Sequence, residues 1–347
     1  MTELRVALAG YGLAGRVFHA PLVAAAPGLR LTGVVTGNAQ RQAEVRVDHP
    51  EAAVFASTDA LFADPDGFDL LVVATTNVVH APLALAAIAL GKAVVVDKPL
   101  ALSAAEADEL VAAASAADVP LTVFQNRRWD SDQLTLHSLI DSGRLGDPLR
   151  YESRFERWRP EPRPDSWREA LPPAEGGGLL LDLGSHLVDQ ALHLFGPAAS
   201  VYAEVDSRRG LADDDVFIAL EHVSGVRSHL WAGALAGAPG PRLRVLGTAG
   251  AYVVPGLDTQ EDDLRATGRA AAGGHPEPAE LWGRLVRGDE SEVVPSLPGR
   301  WDAFYPLMAA AVRGDGPVPV DPADAVRCLR TLEAARLAAT ERRVVTL

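Results

Sequence analysis

The chain has 347 residues, 48% of them hydrophobic, so it can bury a substantial core and divide into two domains. Its 46 acidic against 32 basic residues give a formal net charge of −14, which argues against nucleic acids and anionic membranes as partners. The single cysteine, Cys328, excludes an intrachain disulfide and a cysteine metal cluster. The first residues show no basic n-region or cleavage site, which predicts a soluble cytoplasmic protein.

The first third of the chain alternates apolar β-branched segments with alanine-rich segments, which predicts a doubly wound parallel sheet of the Rossmann type. The strand segments are mostly apolar and do not alternate with polar residues, as is typical of strands buried on both faces. Residues 70–91 carry no charge, but Thr75, Asn77 and Pro82 interrupt them and favour strand, loop and helix over a membrane span. Predicted strands are Leu4–Ala9, Leu31–Val35, Asp69–Ala74, Ala93–Val96 and Leu121–Phe124, and predicted helices are Gly15–Ala26, Ala39–Val45, Ala81–Ala89 and Ser103–Ala117.

After about Gln125 the pattern changes to alternating apolar positions, typical of a sheet with one solvated face. We therefore predict an α/β protein with a dinucleotide-binding domain over residues 1–121 and an α+β domain over residues 122–347. The second domain would hold a large, open, mostly antiparallel sheet. Its predicted strands include Val201–Val205, Val216–Leu220 and Leu243–Val245, and its predicted helices are Asp132–Ser142, Asp182–Phe195 and Pro322–Ala339.

A glycine-rich turn follows the first predicted strand. Gly10 permits the tight turn, Gly12 lets the backbone approach a diphosphate, and Gly15 lets the helix pack closely on the strand. The amino terminus of the helix then presents unpaired N–H groups to the phosphates. This placement between a strand and a helix predicts a dinucleotide site.

The end of the second strand bears on the choice of nucleotide. A fold specific for NAD usually places an acid there to hold the ribose hydroxyls, and no Asp or Glu occurs from Leu31 to Gln42. Thr36, Asn38 and Arg41 are instead available, which predicts NADP over NAD. The alternative is that Arg41 is a solvated helix residue and that the enzyme accepts both nucleotides.

Lys98 is one of only two lysines among 32 basic residues, and it follows an apolar strand directly. Lysine is a compact charge whose pKa moves readily, which suits proton chemistry. Taken alone, the residue is better explained as a lysine that extends to solvent from a strand end.

Asp182 and His186 are four residues apart, so on one helix they would share a face, and a carboxylate beside an imidazole orients a base. Two other interpretations remain open. His186 and His193 with Asp182 and Asp189 could bind a metal, although the chain lacks a closely spaced histidine pair. The aspartate and histidine could also only satisfy a buried helix start.

Together these segments resemble the Gfo/Idh/MocA oxidoreductase family over essentially the whole chain. The resemblance rests on Gly10-x-Gly12-x-x-Gly15, Ala74-Thr-Thr-Asn77-x-x-His80, Val96-Asp97-Lys98-Pro99, Asn126-Arg127-Arg128 and Asp182-x-x-x-His186. The stretches Phe18-His19-Ala20-Pro21, Asn126–Asp132 and Trp167-Arg168-Glu169 are most similar to the branch that contains NADP-dependent scyllo-inositol dehydrogenase.

The resemblance implies a role for each matching residue. Lys98, Asp182 and His186 would be catalytic, with Lys98, Arg127, Asp182, His186 and Tyr305 at the substrate. Asp97 stands where the family usually has glutamate, and Thr76 stands where proline is common. The implied cofactor-binding residues are Gly10, Gly12, Leu13, Gly15, Thr36, Asn38, Arg41, Thr75, Thr76, Asn77, His80, Asp97, Lys98, Asn126, Arg127 and Trp167.

The expected activity is hydride transfer between nicotinamide and a secondary alcohol of a sugar or cyclitol, without a metal. His186 would remove the hydroxyl proton, and cationic Lys98 would stabilise the alkoxide. Core packing is an equal alternative for Tyr305. A homodimer or homotetramer through the second sheet is expected. A non-redox relative, either an NAD-dependent glycosidase or a dinucleotide-binding regulator, is the alternative function.

Overall fold

A computed structural model describes residues 3–163, 166–210 and 212–347. The chain forms two compact units that are not continuous in sequence. The first contains Met1–Asn126, Gln260–Gly274 and Arg300–Val326, and the second contains Arg127–Thr259, His275–Gly299 and Arg327–Leu347. The sequence placed everything after Leu121 in the second domain, whereas two later segments belong to the first unit. Thr122 illustrates why: its hydroxyl donates to the carbonyl of Val320 at 2.7 Å.

The first unit is built on a six-stranded sheet in which every pair of neighbours is parallel, as predicted. In the strand order β3-β2-β1-β4-β5-β6, successive strands are added on one side of β1 up to β3 and on its other side from β4 onward. Sheets of this kind bind ligands at that switch point, outside the carboxyl ends of the strands. The central strands are almost completely buried, which explains their uninterrupted apolar sequence. The strands are β1 (Leu4–Ala9), β2 (Leu29–Val35), β3 (Ala53–Phe55), β4 (Leu70–Val73), β5 (Ala93–Asp97) and β6 (Leu121–Phe124).

Three predicted helices of this unit begin and end within three residues of their predicted positions, namely Ala39–Asp48, His80–Ala89 and Ala104–Ala117. Ser103 accepts the N–H of Glu106 at 3.2 Å, and the Glu106 carboxylate accepts the N–H of Leu102 at 3.1 Å, so the predicted helix start is confirmed. Three-residue β3 and the five-residue helix after it were not predicted, because neither is long enough to show a periodic pattern. The helices are Ala20–Ala25, Ala39–Asp48, Thr58–Phe62, His80–Ala89, Ala104–Ala117, Gln260–Thr267, Phe304–Arg313 and the start of Pro322–Glu341.

The helix after the glycine turn differs from the predicted single helix. Residues Ala14–His19 form a wide π-helical turn, in which the N–H of Ala20 bonds the carbonyl of Gly15, before the α-helix Ala20–Ala25 begins. Pro21 has no N–H to donate back along the helix, so a regular α-helical ladder cannot run through this point.

The second unit contains a nine-stranded sheet, with β7 and β10 parallel and all other neighbours antiparallel. This confirms the large, mostly antiparallel sheet. Its order is β14-β13-β12-β11-β7-β10-β9-β8-β15. The strands are β7 (Pro148–Glu156), β8 (Ala198–Asp206), β9 (Asp215–His222), β10 (Arg227–Gly233), β11 (Leu243–Gly247), β12 (Gly250–Val254), β13 (Gly283–Arg287), β14 (Glu290–Val294) and β15 (Val345–Thr346).

Helices of the second unit cover one face of this sheet, and alternate strand residues such as Ile218, Leu220 and Leu230 are buried. The helices are Ser131–Asp141, Trp167–Ala170, Leu179–Asp182, Gly184–Phe195 and the later part of Pro322–Glu341. Cys328 lies buried in the last of these. Among the described residues, every helix is too short or too polar to cross a membrane.

Candidate active site

The glycine turn after β1 has the geometry that the sequence predicts. Gly10 has φ of +101°, and a Cβ there would lie 2.3 Å from the carbonyl oxygen of Ala74. A Cβ on Gly15 would lie 2.0 Å from the carbonyl oxygen of Gly10. Both positions therefore require glycine for the fold itself, because the turn and the following helix meet backbone to backbone.

Gly12 differs from its two neighbours. The nearest heavy atom to a Cβ built there is Nη1 of Arg41, at 3.9 Å, so the protein does not fill the space in front of this residue. Leu13 beside it is exposed. A backbone segment left open at the carboxyl end of β1 fits the diphosphate of a dinucleotide.

The segment after β2 combines two functions. The Asn38 side chain accepts the N–H of Arg41 at 3.0 Å and caps the helix Ala39–Asp48, and the carbonyl of Thr36 accepts Nε2 of Gln42 at 2.8 Å. The Arg41 guanidinium is exposed, and no carboxylate of the described residues lies within 4.0 Å of it. The Asn38 side-chain oxygen is thus used to cap the helix, while the Arg41 guanidinium leaves a positive charge beside the glycine turn that pairs with no described carboxylate.

The loops after β4 and β5 are joined by a histidine. His80 is fully buried, with Nδ1 2.8 Å from the carbonyl oxygen of Pro99 and Nε2 3.4 Å from the carbonyl oxygen of Thr75. Asn77 is also buried, whereas Thr76 is exposed. His80 therefore has a structural role, because it holds together the two loops that carry Thr75 and Lys98.

Lys98 is half-buried and follows Asp97, whose Oδ1 accepts the Lys98 backbone N–H at 2.9 Å. Beneath it, Nε2 of His19 lies 3.8 Å from the same carboxylate oxygen. Burial raises the pKa of the Asp97 carboxyl, but the nearby His19 and Lys98 lower it more, so the pKa lies below its usual range. Asp97 is therefore held as a carboxylate directly behind Lys98.

Tyr305 completes this buried group, and the structure does not place it at a substrate surface. Its hydroxyl lies 2.6 Å from Nδ1 of His19, and its side chain is fully buried. Burial and the Asp97 charge raise the pKa of Tyr305 well above its usual value, so the hydroxyl stays protonated and can donate to His19. Core packing, the alternative that the sequence left open, describes Tyr305; the residue supports Asp97 from below.

In the second unit, the predicted continuous helix from Asp182 is interrupted at Leu183. The hydroxyl of Ser185 donates to the Asp182 carbonyl at 3.0 Å, and the N–H of His186 bonds the Leu183 carbonyl at 3.2 Å. A serine that takes the carbonyl in this way competes with the helical ladder. The expectation of one shared helix face for Asp182 and His186 is therefore corrected: they lie on two successive helical segments.

Asp182 and His186 contact different side chains. Oδ1 of Asp182 accepts Nε of Arg168 at 3.2 Å, and the Arg168 guanidinium stacks on the ring of Trp167 at 4.4 Å. The His186 ring is buried 6.2 Å from the ring of Phe155.

Arg127 lies on the same aromatic ring. Its guanidinium is 5.1 Å from the Phe155 ring centre and pairs with Asp130 at 3.3 Å. His186 and Arg127 are thus brought to one place by Phe155, while the preceding Asn126 is buried in the first unit.

Asp189 and His193, which the sequence offered as metal ligands, contact other side chains. Asp189 accepts two hydrogen bonds from Arg128, at 2.8 and 2.6 Å, and the His193 ring is tilted against that of His137 with centroids 5.6 Å apart. Within residues 3–163, 166–210 and 212–347, no group of three or more potential ligands is placed to hold a metal ion.

Comparison with known proteins agrees with this geometry. Residues 4–125 match the oxidoreductase family with an NAD-binding Rossmann fold, and residues 134–253 match the Gfo/Idh/MocA C-terminal domain. The chain belongs to the Gfo/Idh/MocA oxidoreductase family. Its Rossmann unit is therefore an NAD(P)-binding unit, and the protein is a dehydrogenase.

Individual relatives cover nearly the whole chain. The uncharacterized oxidoreductase YdgJ of Escherichia coli is 39% identical over 95% of this chain and 95% of its own. The scyllo-inositol 2-dehydrogenase (NADP(+)) IolW of Bacillus subtilis is 35% identical over 99% of this chain and 96% of its own. The solved structure of the oxidoreductase YvaA from Bacillus subtilis has a TM-score of 0.91 at 33% identity, over 99% of this chain and 98% of that one.

Three residues that contact predicted site residues were not singled out from the sequence. Arg168 was noted only as part of a short motif, although its own side chain contacts Asp182. Phe155 occupies one position of an ordinary strand and carries no local signal. His19 lies within the quoted Phe18–Pro21 stretch, but only its burial against Tyr305 and Asp97 shows what it does.

Proposed function

We propose that the protein is an NADP-preferring dehydrogenase that interconverts a secondary alcohol of a sugar or cyclitol with its ketone. The choice of nucleotide rests on the exposed guanidinium of Arg41, whose Nη1 would lie 3.9 Å from a Cβ built on Gly12. The end of β2 also carries no acid that could hold the ribose hydroxyls of NAD. Two relatives support the substrate class, IolW and the D-apiose dehydrogenase of Rhizobium rhizogenes, the latter 30% identical over half of this chain.

In this proposal the residues of the first unit hold the dinucleotide. The backbone at Gly12 and Leu13 would hold the diphosphate, Thr36 and Asn38 would bind the adenosine ribose, and Arg41 would pair with a 2′-phosphate. Bound nicotinamide would supply the hydride acceptor. Thr75, Thr76, Asn77 and Asn126 of this unit remain predicted contacts of the cofactor, as do Arg127 and Trp167, which belong to the second unit.

Proton transfer falls to side chains of the protein. An imidazole titrates near neutral pH, so His186 can take the hydroxyl proton as the alcohol is oxidised and return it in reduction. The Lys98 ammonium, next to the Asp97 carboxylate, would stabilise negative charge on the substrate oxygen. Asp182, fixed by Arg168, would accept a hydrogen bond from a neighbouring substrate hydroxyl.

Nucleotide reduction tests the proposal. The purified protein is incubated with NADP⁺ or NAD⁺ and each of a panel of inositol isomers and aldoses, while reduced nicotinamide is followed by absorbance and the ketone by mass spectrometry. We expect one polyol to reduce NADP⁺ faster than NAD⁺. Release of free sugar from a glycoside without net nucleotide reduction would indicate a glycosidase, and nucleotide binding without any turnover would favour a regulator.

We also propose that the protein is a cytoplasmic homo-oligomer joined through the second sheet. The face of β9 and β10 opposite the helices carries Phe217, His229 and Trp231, which are half-exposed. Their rings meet in edge-to-face and tilted contacts, with centroids 5.2 to 6.2 Å apart. Such an aromatic face gains from a second copy that covers it. Light scattering after size exclusion should give a dimer or tetramer, and Trp231→Glu should give a monomer.

A further inference from the structure

The second unit contains a pocket lined by arginines, which we call the arginine pocket: Arg157, Arg163, Arg168 and Arg209 together with Asp182. It lies where the segment that follows β7 meets the helical turn ending at Asp182 and the loop before β9. Because Asp182 is one of the predicted catalytic residues, whatever occupies this pocket lies at the substrate end of the proposed site.

The carboxylates that line the pocket are already neutralised. Each forms an ion pair with an arginine, which is an expected arrangement for acids near a partly buried surface. The pairs are Glu169 with Arg163 at 2.8 Å, Asp182 with Arg168 at 3.2 Å, Asp213 with Arg336 at 3.1 Å and Asp214 with Arg209 at 2.9 Å. The arginines in these pairs are therefore used within the protein.

Arg157 differs from the other arginines that line the pocket, because it forms no ion pair with a described carboxylate. Among the described residues no carboxylate lies within 4.0 Å of its guanidinium, and its Nε is buried without a hydrogen-bond partner. Its backbone is fixed on both sides, since its N–H bonds the carbonyl of Gly233 and its carbonyl accepts the N–H of Ala236. The side chain thus projects from a rigid position.

The electrostatics of this position favour an anion. Burial and the neighbouring Arg159 lower the pKa of Arg157, while Asp182 raises it, so the surroundings disfavour the charge that the guanidinium still carries at neutral pH. A buried N–H without a partner costs free energy, and a planar guanidinium pairs best with a carboxylate or phosphate. An anionic ligand would satisfy both needs.

We propose that Arg157 binds an anionic group on the substrate, so that the preferred substrate is a polyol bearing a carboxylate or a phosphate monoester. This inference rests on the proposed function and narrows its substrate class. The oxidised carbon loses a hydride to NADP⁺ and its hydroxyl loses a proton, giving ketone, NADPH and H⁺. The anionic group takes no part in the transfer and serves only recognition.

Binding measurements test this without relying on turnover. D-glucitol, D-gluconate and D-glucitol 6-phosphate are titrated calorimetrically into the NADP⁺ complex, as neutral, carboxylate and phosphate probes of one carbon skeleton. Hydrogen bonds to charged groups contribute about 1.5–3 kcal/mol, so one of the anionic probes should bind roughly 10- to 100-fold more tightly than glucitol. The tighter of the two anions identifies which group the pocket takes.

Three variants make the result specific. Arg157→Gln should lose the preference for the anion, and Arg157→Lys should keep part of it. Arg208→Gln should keep the full preference for the anion, because Arg208 does not line the pocket and pairs with Asp206 and Asp215 on the surface of the protein. Thermal unfolding of each variant shows that it is folded, and Arg157→Lys provides the test if Arg157→Gln is not.

The two proposals can fail separately. Equal binding of the three probes, or an anion preference that survives in Arg157→Gln, overturns the role of Arg157 even if neutral polyols reduce NADP⁺. Loss of oligomer in Arg157→Gln with unchanged probe binding also overturns it and assigns the arginine to a subunit interface. An anion preference that depends on Arg157 supports it even if no polyol is oxidised, in which case the proposed oxidation of a sugar or cyclitol fails.

Discussion

Gly12→Ala separates nucleotide binding from folding more sharply than any other change in the glycine turn. A Cβ at this position has only the Arg41 guanidinium at 3.9 Å, an ordinary van der Waals contact. Where the backbone conformation permits alanine, replacing glycine changes stability by only about 0.4–1 kcal/mol. We expect the melting temperature to stay within roughly 4 °C of the unchanged protein.

The same methyl group occupies the space that a diphosphate needs. If it weakens one or two hydrogen bonds to charged phosphate oxygens, each about 1.5–3 kcal/mol, NADP⁺ binding falls at least roughly tenfold. Calorimetric titration with NADP⁺ and thermal unfolding are measured side by side for Gly12→Ala. Gly316→Ala is the matched control, since nothing lies within 4 Å of its added Cβ.

Gly10→Ala should behave in the opposite way. Its Cβ would lie 2.3 Å from the Ala74 carbonyl oxygen in a backbone conformation with φ of +101°, so the substitution should lower stability by about 1–3 kcal/mol or more. The reasoning is refuted if Gly12→Ala binds NADP⁺ as tightly as the unchanged protein, or if it destabilises the fold as much as Gly10→Ala does.

Three further predictions concern charge and proton transfer. Arg41→Gln should weaken NADP⁺ binding at least about tenfold and leave NAD⁺ binding unchanged in titrations, whereas equal losses would show that Arg41 does not choose the nucleotide. Because the fold lowers the pKa of Asp97, its carboxylate stabilises the fold above about pH 4 and that contribution is lost as pH falls through the lowered pKa. Asp97→Asn should therefore lower the free energy of unfolding by about 1–3 kcal/mol near neutral pH, with the difference closing in acid, and denaturant melts that show a constant difference would contradict this. Lys98→Met and His186→Ala should each lower turnover about 10²- to 10⁴-fold with unchanged nucleotide affinity, and a fully active His186→Ala would exclude this histidine as the base.

The parallel sheet could be predicted from the sequence because strands buried on both faces, such as β4 and β5, leave apolar runs that no local feature obscures. The glycine turn was predictable because its glycine spacing stands directly between a strand and a helix. The contact of Gly15 with the Gly10 carbonyl is local, whereas the contact that requires glycine at position 10 is with Ala74, after another strand. Segments 260–274 and 300–326 could not be assigned to the first unit, because what holds them there is long-range: Trp301 packs on Phe18 at 5.8 Å, and Tyr305 bonds His19.

The candidate site shows the same division. Residue types at Lys98, Asp182 and His186 were recognisable from short motifs, but their neighbours were not. The interruption at Leu183 involves a serine hydroxyl that takes a backbone carbonyl. The charge of Arg157 becomes notable only once the described carboxylates that line its pocket are seen to pair with other arginines. Sequence spacing describes positions along a helix, whereas ion pairs depend on which strands and loops meet.

Isotope transfer from substrate to nucleotide tests the central claim most directly. A polyol that reduces NADP⁺ is prepared with deuterium at its reacting carbon, and the nucleotide recovered after turnover is examined by proton NMR. The account predicts one deuterium at C4 of the nicotinamide for each ketone formed. Ketone formed with no deuterium in the recovered nucleotide, or with the label lost to solvent, would contradict hydride transfer as the reaction of this protein.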